Sequence, residues 1–428
     1  MADSAPQRPP TGAVLRAYLL AVRGLEPFLP AYLRRRLQAG REHPTRWREK
    51  LGEAGLPRPD GRLIWFHAVG LGEVMALRGV ILAMGQARPD ASFLVTSSAL
   101  SSALAFAANA PPRTVHQFLP LDAPGPVARF LDHWRPDMSV WAEQDLWPGL
   151  VAATHRRGIP LALINARMNA RAFGARTRVR SLFRDLYARF AHISAQDKET
   201  AGHLRGLGAL TVTVTGSLKA GAGPLADDPA ARALIAAAFE GRRAWCAASS
   251  HAADEVVAIA AQRTLHAQDP SRLLVIAPRD PVRRQAIAAA CAGAGLAVAV
   301  RSTGVLPVPT DAVYLADSFG EMGLWYRVCP LALIGGGLGD TGGHNPWEAA
   351  HLGCAVLHGP NVANFAADYA ALHGARAATK ISDAAGLCAA VLDPALPEQA
   401  VRGQTLASKG MAGMQDICTT LLAMVPDA

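Results

Sequence analysis

Short β-rich runs alternate with alanine-rich helical stretches along most of the 428 residues of this chain. Such alternation is typical of βαβ units, in which helices join parallel strands and cover the sheet. Helical stretches such as Glu73–Ala87 and Ala123–His133 separate several of the strands. A chain of this length is too long for one ordinary hydrophobic core, so two domains are predicted. The strands predicted in the first half are Leu63–Ala68, Ser92–Thr96, Val115–Leu119, Met138–Ala142, Leu161–Asn165, His192–Ala195 and Val212–Thr215.

A turn-forming passage near the middle of the chain, Ala-Gly-Ala-Gly-Pro-Leu-Ala-Asp-Asp-Pro from Ala220, predicts a linker. The strands predicted after it are Trp245–Ala248, Leu273–Ala277, Ala297–Val300, Ala312–Leu315, Leu331–Ile334 and Ala355–Leu357. Two doubly wound parallel sheets imply a cleft between the domains, with ligands at the carboxyl ends of the strands. The predicted divisions are an N-terminal segment at 1–44, a first Rossmann-like domain at 45–219, a linker at 220–232 and a second Rossmann-like domain with terminal helices at 233–428.

The charge of the chain favours anionic partners. Lys and Arg number 43 against 34 Asp and Glu, which gives a formal charge of +9. Nucleotides, phosphorylated substrates, acidic lipid surfaces and nucleic acid all fit such an excess, and charge alone does not choose among them. No interleaved basic and aromatic motif supports nucleic-acid binding.

The N-terminal segment has an amphipathic pattern. No uninterrupted run reaches the roughly 20 apolar residues that cross a bilayer, because charged residues and Pro30 interrupt Val14–Leu33. An arginine cluster, Arg34–Arg36, follows directly. A helix lying on an anionic membrane surface fits this pattern, and so does a helix packed on the protein's own body. The apolar residues at helical spacing are Leu15, Tyr18, Leu19, Val22, Leu25 and Phe28.

Charged residues follow several strands of the first domain. Glu73 lies at the start of a helix after the glycine-containing loop His-Ala-Val-Gly-Leu-Gly, and Glu143 and Asp145 follow another strand. Arg167 and Lys219 follow two more. Because the carboxyl ends of parallel strands share one edge of a sheet, these side chains are predicted to meet there. Glu73 on its own fits a helix-capping role as well as a catalytic one.

The second domain has the pattern of a nucleotide site. Ser249–His251 and Arg279 follow two strands, and the turn Asp317–Glu321 follows a third and opens a helix. Backbone N–H groups at such a helix start can hold a phosphate without a metal, and an arginine can neutralise it. The glycines of Gly335–Gly343 lead into a helix in which Glu348 can accept the hydroxyls of a ribose.

Several other chemistries are excluded. The chain has no GxxxxGK[ST] phosphate loop, no GxGxxG with a ribose acid in the first βαβ unit, and no metal-ligand spacing. No metal and no cofactor are therefore predicted. Without a CxxC pair, the cysteines are interpreted as buried thiols of a reducing compartment. They are Cys246, Cys291, Cys329, Cys354, Cys388 and Cys418.

The order of these short motifs resembles that of the bacterial Kdo (3-deoxy-D-manno-octulosonic acid) transferases. Agreement of many motifs in one order is more specific than any single motif, and it spans roughly residues 45–370. The matching motifs are Arg46–Gly52, His67–Glu73, Glu143–Pro148, Asn165–Arg167, Gly216–Lys219, Ser249–His251, Pro278-Arg279, Gly320-Glu321, Gly343–Glu348 and Asn364-Phe365.

The resemblance implies a GT-B fold and an inverting transfer of Kdo from CMP-Kdo to a lipid A precursor, lipid IVA, in lipopolysaccharide biosynthesis. The first domain would take the acceptor and the second CMP-Kdo. Glu73 matches the family's catalytic base, and Glu143 and Lys219 match positions that stabilise the transition state. The residues assigned to the CMP-sugar are Ser249, Pro278, Arg279, Phe319, Gly320, Glu321, Asn345 and Glu348.

The expected location is the cytoplasmic side of the bacterial inner membrane, where the enzyme is peripheral or weakly anchored. The sequence departs from the family pattern at Gly70, Asp145, Ser217 and Asp280, where serine, glutamate, asparagine and histidine are usual. Three alternatives stay open from the residues alone. They are a GT-B enzyme that uses a UDP- or GDP-sugar, a sugar-nucleotide epimerase and a non-catalytic membrane-associated paralogue.

Overall fold

The computed structural model describes residues 11–100, 103, 106 and 110–426. The chain divides into two compact units. Unit 1 comprises residues 1–221 and 412–428, and unit 2 comprises residues 222–411. Each unit contains one seven-stranded sheet, and the strands of each sheet are parallel. The two parallel α/β sheets predicted from the sequence are thereby confirmed, whereas the cleft between the domains stays a prediction.

The sheet of unit 1 has the strand order β3-β2-β1-β4-β5-β6-β7. The chain runs from β1 toward one edge of the sheet and from β4 toward the other, so the winding reverses between these two strands. Helices cover both faces, and β4 is accordingly a fully buried apolar run. The strands are β1 (Arg62–His67), β2 (Ala91–Ser97), β3 (Thr114–Phe118), β4 (Met138–Ala142), β5 (Leu161–Ala166), β6 (His192–Ala195) and β7 (Thr213–Val214).

The two faces of this sheet carry separate cores. Alternation along β1 sends Trp65 to one core, with Phe130 and Trp141, and its neighbours Ile64 and Phe66 to the other. The helices of unit 1 are α1 (Ala13–Leu25), α2 (Leu29–Gln38), α3 (Leu71–Ala87), α4 (Pro124–Trp134), α5 (Pro148–Arg156), α6 (Ala170–Thr177), α7 (Arg180–Tyr187) and α8 (Lys198–Gly206).

The sheet of unit 2 has the order β10-β11-β9-β8-β12-β13-β14, and its winding reverses between β8 and β12. The sequence did not predict β14, whose three residues Ala-Thr-Lys carry little β signal. The strands are β8 (Arg243–Ser250), β9 (Arg272–Pro278), β10 (Val298–Val300), β11 (Val313–Leu315), β12 (Leu331–Ile334), β13 (Ala355–His358) and β14 (Ala378–Lys380).

The helices of unit 2 lie on both sides of its sheet, where Ile259, Leu274 and Leu333 belong to one buried cluster. They are α9 (Pro229–Ala238), α10 (Ala252–Gln268), α11 (Arg284–Gly293), α12 (Met322–Val328), α13 (Trp347–His351), α14 (Ala366–Gly374), α15 (Ala384–Val391) and α16 (Leu396–Met424), of which the last continues into unit 1.

The end of α16 differs from the predicted domain boundaries. The sequence places residues 233–428 in the second domain, whereas residues 412–428 belong to unit 1. The physical reason is apolar burial: Ile417, Leu421 and Val425 pack in the core that contains Ile64 of β1. The amphipathic pattern of α16 continues unchanged along the helix, so the sequence gives no signal for the point at which the helix passes from unit 2 to unit 1.

The linker is also shorter than predicted. Helix α9 begins at Pro229, inside the predicted linker at 220–232. The side chain of Asp228 accepts hydrogen bonds from the backbone N–H groups of Ala230 and Ala231, and proline occupies the first turn. An aspartate cap followed by proline is a standard helix start, so the last four residues of the predicted linker, 229–232, are helical.

The N-terminal helices pack on unit 1 and also expose apolar side chains. Leu15 and Leu33 are buried, and the Tyr18 hydroxyl donates to Asp122 at 2.8 Å. Leu25 and Phe28 are 58% and 68% exposed. Both interpretations of this segment therefore have a physical basis. In the part of the chain that the structure describes, every helix is too short or too polar to span a membrane.

Glycine at position 413 is required by close packing. A Cβ atom there would lie 1.7 Å from the carbonyl oxygen of Thr215, whereas one at Gly403 in the same helix would meet only ordinary contacts at 3.7 Å or more. We expect Gly413→Ala to reduce the free energy of unfolding by about 1–3 kcal/mol because of overpacking. Gly403→Ala is the control and should be neutral or stabilising, since alanine favours helices. Equal denaturation midpoints for both variants would contradict this packing.

Candidate active site

The candidate residues of unit 1 lie around the switch point of its sheet. Glu73 follows β1, Glu143 follows β4, and these two strands are the neighbours between which the winding reverses. Arg167 follows β5, and Lys219 lies beyond β7. Doubly wound sheets bind their ligands at this position, outside the carboxyl ends of the strands.

The Glu73 carboxylate is fixed by the backbone of its own loop. Its Oε2 atom accepts hydrogen bonds from the N–H groups of Val69 and Gly70, at 3.0 and 3.1 Å. The capping role that the sequence left open is therefore present. The same two hydrogen bonds also hold the carboxylate in one position, as a catalytic base requires. A Cβ atom on Gly70 would lie 3.2 Å from Oε1 of Glu73, so serine at this position would crowd the carboxylate.

Glu143 and Glu73 form a carboxyl pair. Burial, together with the charge of Glu73 and a side-chain hydrogen bond between the two groups, raises the pKa of Glu143 to about 7. The charges of Lys219 and Arg167 act in the opposite direction. Glu143 therefore holds its proton close to neutral pH. The structure thus brings together the three predicted catalytic residues and Arg167.

The backbone conformation sets the directions of the Glu143 and Asn165 side chains. Glu143 and Asn165 have φ values of 63° and 54°, in the left-handed region that residues other than glycine seldom adopt. The Glu143 N–H donates to the carbonyl of Ile164 at 3.0 Å. The Asn165 side-chain oxygen accepts from the N–H of Leu218 at 3.0 Å, which fixes the loop that carries Lys219. The strain is held in place by these hydrogen bonds.

Arg176 belongs to this region, although the sequence gave no reason to select it. Its guanidinium donates to the side chain and to the carbonyl oxygen of Gln144. Burial and the charge of Glu73 raise the pKa of Asp145, and the charge of Arg176 lowers it. An arginine within an arginine-rich helical stretch has no distinguishing local signal, so only the fold identifies it.

In unit 2, Asp254 organises the loops at the second switch point. This fully buried carboxylate accepts hydrogen bonds from the N–H groups of His251, Gly336 and Leu338, at 2.9, 2.7 and 3.2 Å. It thereby joins the turn after β8 to the glycine-rich turn after β12. A Cβ atom on Gly335 would lie 2.3 Å from the carbonyl oxygen of Ser249, so the two turns touch only because Gly335 lacks one.

Arg279, Asn345 and Glu348 form a second group of predicted residues. The Asn345 side chain donates to Glu348 at 3.3 Å and accepts from the N–H of Trp347 at 3.1 Å. Burial raises the pKa of Glu348, while the Asn345 hydrogen bond and the charge of Arg279 lower it. The N–H of Arg279 donates to the carbonyl of Ser250 at 3.0 Å, which sets Pro278-Arg279 beside the turn of Ser249.

The turn Phe319–Glu321 is held by different contacts. Glu321 pairs with Arg301 at 2.8 Å and also accepts from the Ser318 hydroxyl. The Arg301 hydrogen bond and charge hold the pKa of Glu321 below its usual range against the opposing effect of burial. Gly320 has a φ of 87°, and Phe319 is 76% exposed. The structure thus gives the turn a defined shape and leaves the phenyl ring on the surface.

Residues 45–222 match the family described as 3-Deoxy-D-manno-octulosonic-acid transferase (kdotransferase). The chain is 33% identical over 361 residues to the 3-deoxy-D-manno-octulosonic acid transferase of Bordetella pertussis, covering 81% of this chain and 83% of that protein. It is 30% identical over 328 residues to the corresponding transferase of Rickettsia bellii, covering 76% and 78%. The chain belongs to the Kdo transferase family.

A solved structure agrees with this assignment at the level of the fold. MurG from Acinetobacter baumannii matches with a TM-score of 0.53 and 12% identity, over 85% of this chain and 99% of that chain. The GT-B fold predicted from the sequence is thereby confirmed. Family membership makes the protein an enzyme, a glycosyltransferase that transfers Kdo, and it decides among the alternatives left open by the residues.

Three features of this transferase were missed by reasoning from its sequence. Asp254 follows the Ser249–His251 motif by only three residues and was not selected, because an acid in a first helical turn is commonplace. Arg176 lacked a local signal. The third feature is a pair of imidazoles, His251 and His344, which lie 93 positions apart in the chain and meet at the switch point of unit 2. Within the described ranges, groups of three or more His, Cys, Asp or Glu arranged to hold a metal ion are absent.

The raised pKa of Glu143 predicts a pH-dependent stability. The unfolded chain releases this proton near the ordinary glutamate pKa, before the folded chain does, so ionisation destabilises the fold as the pH rises from about 4.5 to about 7. Glu143→Gln removes the effect. Relative to wild type, its free energy of unfolding should increase by about 1–2 kcal/mol between pH 5 and pH 8.

Asp90→Asn provides the control for this measurement. The hydrogen bonds from Arg88 lower the pKa of Asp90, so this carboxylate is ionised throughout the same pH range. The difference in free energy of unfolding between Asp90→Asn and the wild type, measured by chemical denaturation, should stay constant between pH 5 and pH 8. A constant difference for Glu143→Gln as well would show that Glu143 is ionised at pH 5.

Proposed function

We propose that this enzyme transfers Kdo from CMP-Kdo to a lipid A precursor, lipid IVA, with inversion at the anomeric carbon and with Glu73 as the base. The observation that carries the proposal is the carboxyl pair of Glu73 and Glu143, flanked by Lys219 and Arg167, at the switch point of unit 1. An acid that holds a proton near neutral pH, beside a carboxylate fixed by backbone hydrogen bonds, is suited to proton transfer from a sugar hydroxyl.

The chemistry divides among these residues. Glu73 takes the proton of the acceptor hydroxyl while the oxygen forms its bond to the anomeric carbon of Kdo. The bond from that carbon to the phosphate breaks, and its electron pair goes to the phosphate oxygen. Glu143 holds its proton near neutral pH and so adds no second negative charge beside the Glu73 carboxylate. Lys219 and Arg167 supply positive charge for the carboxylate of the sugar as the transition state forms.

The donor site is proposed in unit 2. Arg279 is exposed and bears a charge that acts on both Glu348 and His344, which suits it to a leaving phosphate. Glu348, oriented by Asn345, is suited to the two ribose hydroxyls. Ser249, Pro278 and the turn Phe319–Glu321 complete the site by resemblance to the family.

The N-terminal helices suit a peripheral location at the cytoplasmic face of the bacterial inner membrane. The exposed apolar side chains in and between these two helices include Leu20, Leu25, Phe28 and Tyr32, and the cations Arg16, Arg23, Arg34 and Arg35 are exposed on the helices themselves. Apolar contact combined with cations gives affinity for anionic lipid. A lipid acceptor would then reach the enzyme in the plane of the membrane.

Mass spectrometry of lipid IVA incubated with CMP-Kdo tests the reaction, and Glu73→Gln tests the base. Glutamine keeps a side-chain oxygen for the N–H groups of Val69 and Gly70 but cannot accept the proton. We expect the wild type to add Kdo and the variant to be at least about 100-fold slower, with an unchanged melting temperature and CMP affinity. Wild-type transfer from a UDP-sugar alone, or a fully active variant, would overturn the proposal.

Arg279→Ala tests the donor site. Loss of a charge-assisted hydrogen bond to phosphate should weaken CMP binding by about 1.5–3 kcal/mol in calorimetry. Arg263→Ala, which removes another exposed arginine of unit 2, should leave the affinity unchanged. Equal affinities of both variants would remove Arg279 from the site.

A double substitution, Leu25→Glu with Phe28→Glu, tests the membrane contact. These acids remove apolar contact and add repulsion, so we expect binding to phosphatidylglycerol vesicles in flotation to fall by at least about tenfold. Leu210→Glu is the control, because Leu210 is 89% exposed elsewhere in unit 1. If the double variant retained full vesicle binding, these helices would be excluded as the membrane contact.

A further inference from the structure

A groove of about 1120 Å³ lies at the amino ends of three strands of unit 2, β8, β9 and β12. The first residues of these strands, Arg243, Arg272 and Leu331, line it, and so do residues of α9 and of the junction between α15 and α16. Arg279 and Glu348 follow the opposite, carboxyl ends of their strands. The groove is therefore separate from the proposed donor site.

The groove has both buried and exposed apolar side chains. Phe239 and Leu331 are buried in its lining, whereas Leu392 and Val401 are 48% and 63% exposed. Small-molecule sites are mostly apolar concave surfaces of about 300–1,000 Å³, so this groove has room for a long hydrocarbon chain. Such a chain would remove the exposed side chains from water and gain free energy from their burial.

Arginines supply most of the charge in the lining, and four of them share two carboxylates. Each carboxylate lies near two guanidinium groups, so each of the two clusters keeps one positive charge in excess. The ion-pair distances are 3.1 Å from Arg232 and 3.4 Å from Arg327 to Asp227, and 3.2 Å from Arg243 and 3.4 Å from Arg272 to Asp269.

The fifth arginine of the lining, Arg242, donates to the carbonyl oxygens of Ser271, Val308 and Asp311. Burial lowers the pKa of Arg242, and the charge of Asp311 raises it. Among the described residues that line the groove, Asp393 is the one acid. Five cations thus face four carboxylates, and the remaining positive charge matches a ligand with one negative charge.

We infer that this groove binds one long-chain fatty acid, with its hydrocarbon chain against Leu331, Leu392 and Val401 and its carboxylate among the arginines. A guanidinium group presents a planar fork of N–H donors that matches a carboxylate. Nucleic acid does not fit the groove, because its aromatic residues Phe239 and Trp245 are buried and offer no exposed ring for a base to stack on.

Calorimetry of the full chain with dodecanoate, at pH 7.5 and below the micellar concentration, tests the inference. We expect about one dodecanoate to bind per chain. Octanoate should bind at least about tenfold more weakly, because it has four methylene groups fewer to bury. Dodecyltrimethylammonium has the same chain length and the opposite charge, and it should not bind.

A double substitution, Arg232→Gln with Arg243→Gln, tests the carboxylate contact. Each acid of the two clusters keeps its second arginine, so the melting temperature should change little. The dodecanoate affinity should fall at least about tenfold, since charge-assisted hydrogen bonds are lost. Arg263→Gln removes an exposed arginine of α10 that does not line the groove, and it should bind dodecanoate as the wild type does.

Val401→Glu tests the hydrocarbon contact. It places a negative charge on the exposed apolar part of the lining, so we expect dodecanoate to bind about tenfold more weakly. Val256→Glu is the matched control, because Val256 is 69% exposed on α10 and lies outside the lining. It should keep the affinity of the wild type.

Four results would overturn the inference. The first is a wild-type chain that does not bind dodecanoate, and the second is binding that both Arg232→Gln with Arg243→Gln and Val401→Glu leave unchanged. The third is binding to phosphatidylglycerol vesicles, without binding of monomeric dodecanoate, that the arginine double variant loses. This would assign the groove to a bilayer surface. The fourth is a dimer in sedimentation that Val401→Glu dissociates and dodecanoate does not, which would assign the groove to a second copy of the chain.

Discussion

The burial of Glu143 beside the charge of Glu73 at the first switch point is the constraint on which the proposed site depends. Strands β1 and β4 are neighbours in the sheet, so the loops that follow them must bring Glu73 and Glu143 together. Burial and the charge of Glu73 raise the pKa of Glu143 to about 7 even though the charges of Lys219 and Arg167 lower it. Glu143 therefore keeps its proton close to neutral pH, and this separates its role from that of the neighbouring Glu73 carboxylate.

Both units use the same construction. In each sheet the winding reverses once; Glu73 and Glu143 in unit 1, and the two turns joined by Asp254 in unit 2, follow the two strands that flank the reversal. Glu143, Asn165 and Ser249 lie at the ends of their strands with φ values of 63°, 54° and 52°. These values fall in the left-handed region, which is strained for residues other than glycine. Such strain costs on the order of 1–3 kcal/mol per residue and persists only where surrounding hydrogen bonds over-determine the backbone.

Local patterns predicted much of this molecule, because strands and the ends of strands are local features. The apolar run Met138–Ala142 is a strand with the predicted bounds, and Glu73 and Glu143 follow their strands as predicted. Contacts between distant segments could not be read in this way. The passage of α16 into unit 1, the role of Asp254 in joining two turns and the meeting of His251 with His344 all depend on tertiary packing.

The central claim, that Glu143 beside Glu73 holds its proton close to neutral pH, can be measured directly by ¹³C NMR of the glutamate carboxyl carbons. The titration would be compared between the wild type and Glu143→Gln to assign the signals. The account predicts one carboxyl resonance that titrates near pH 7 in the wild type and is lost in the variant. A wild-type spectrum in which every glutamate has titrated below pH 5 would contradict it.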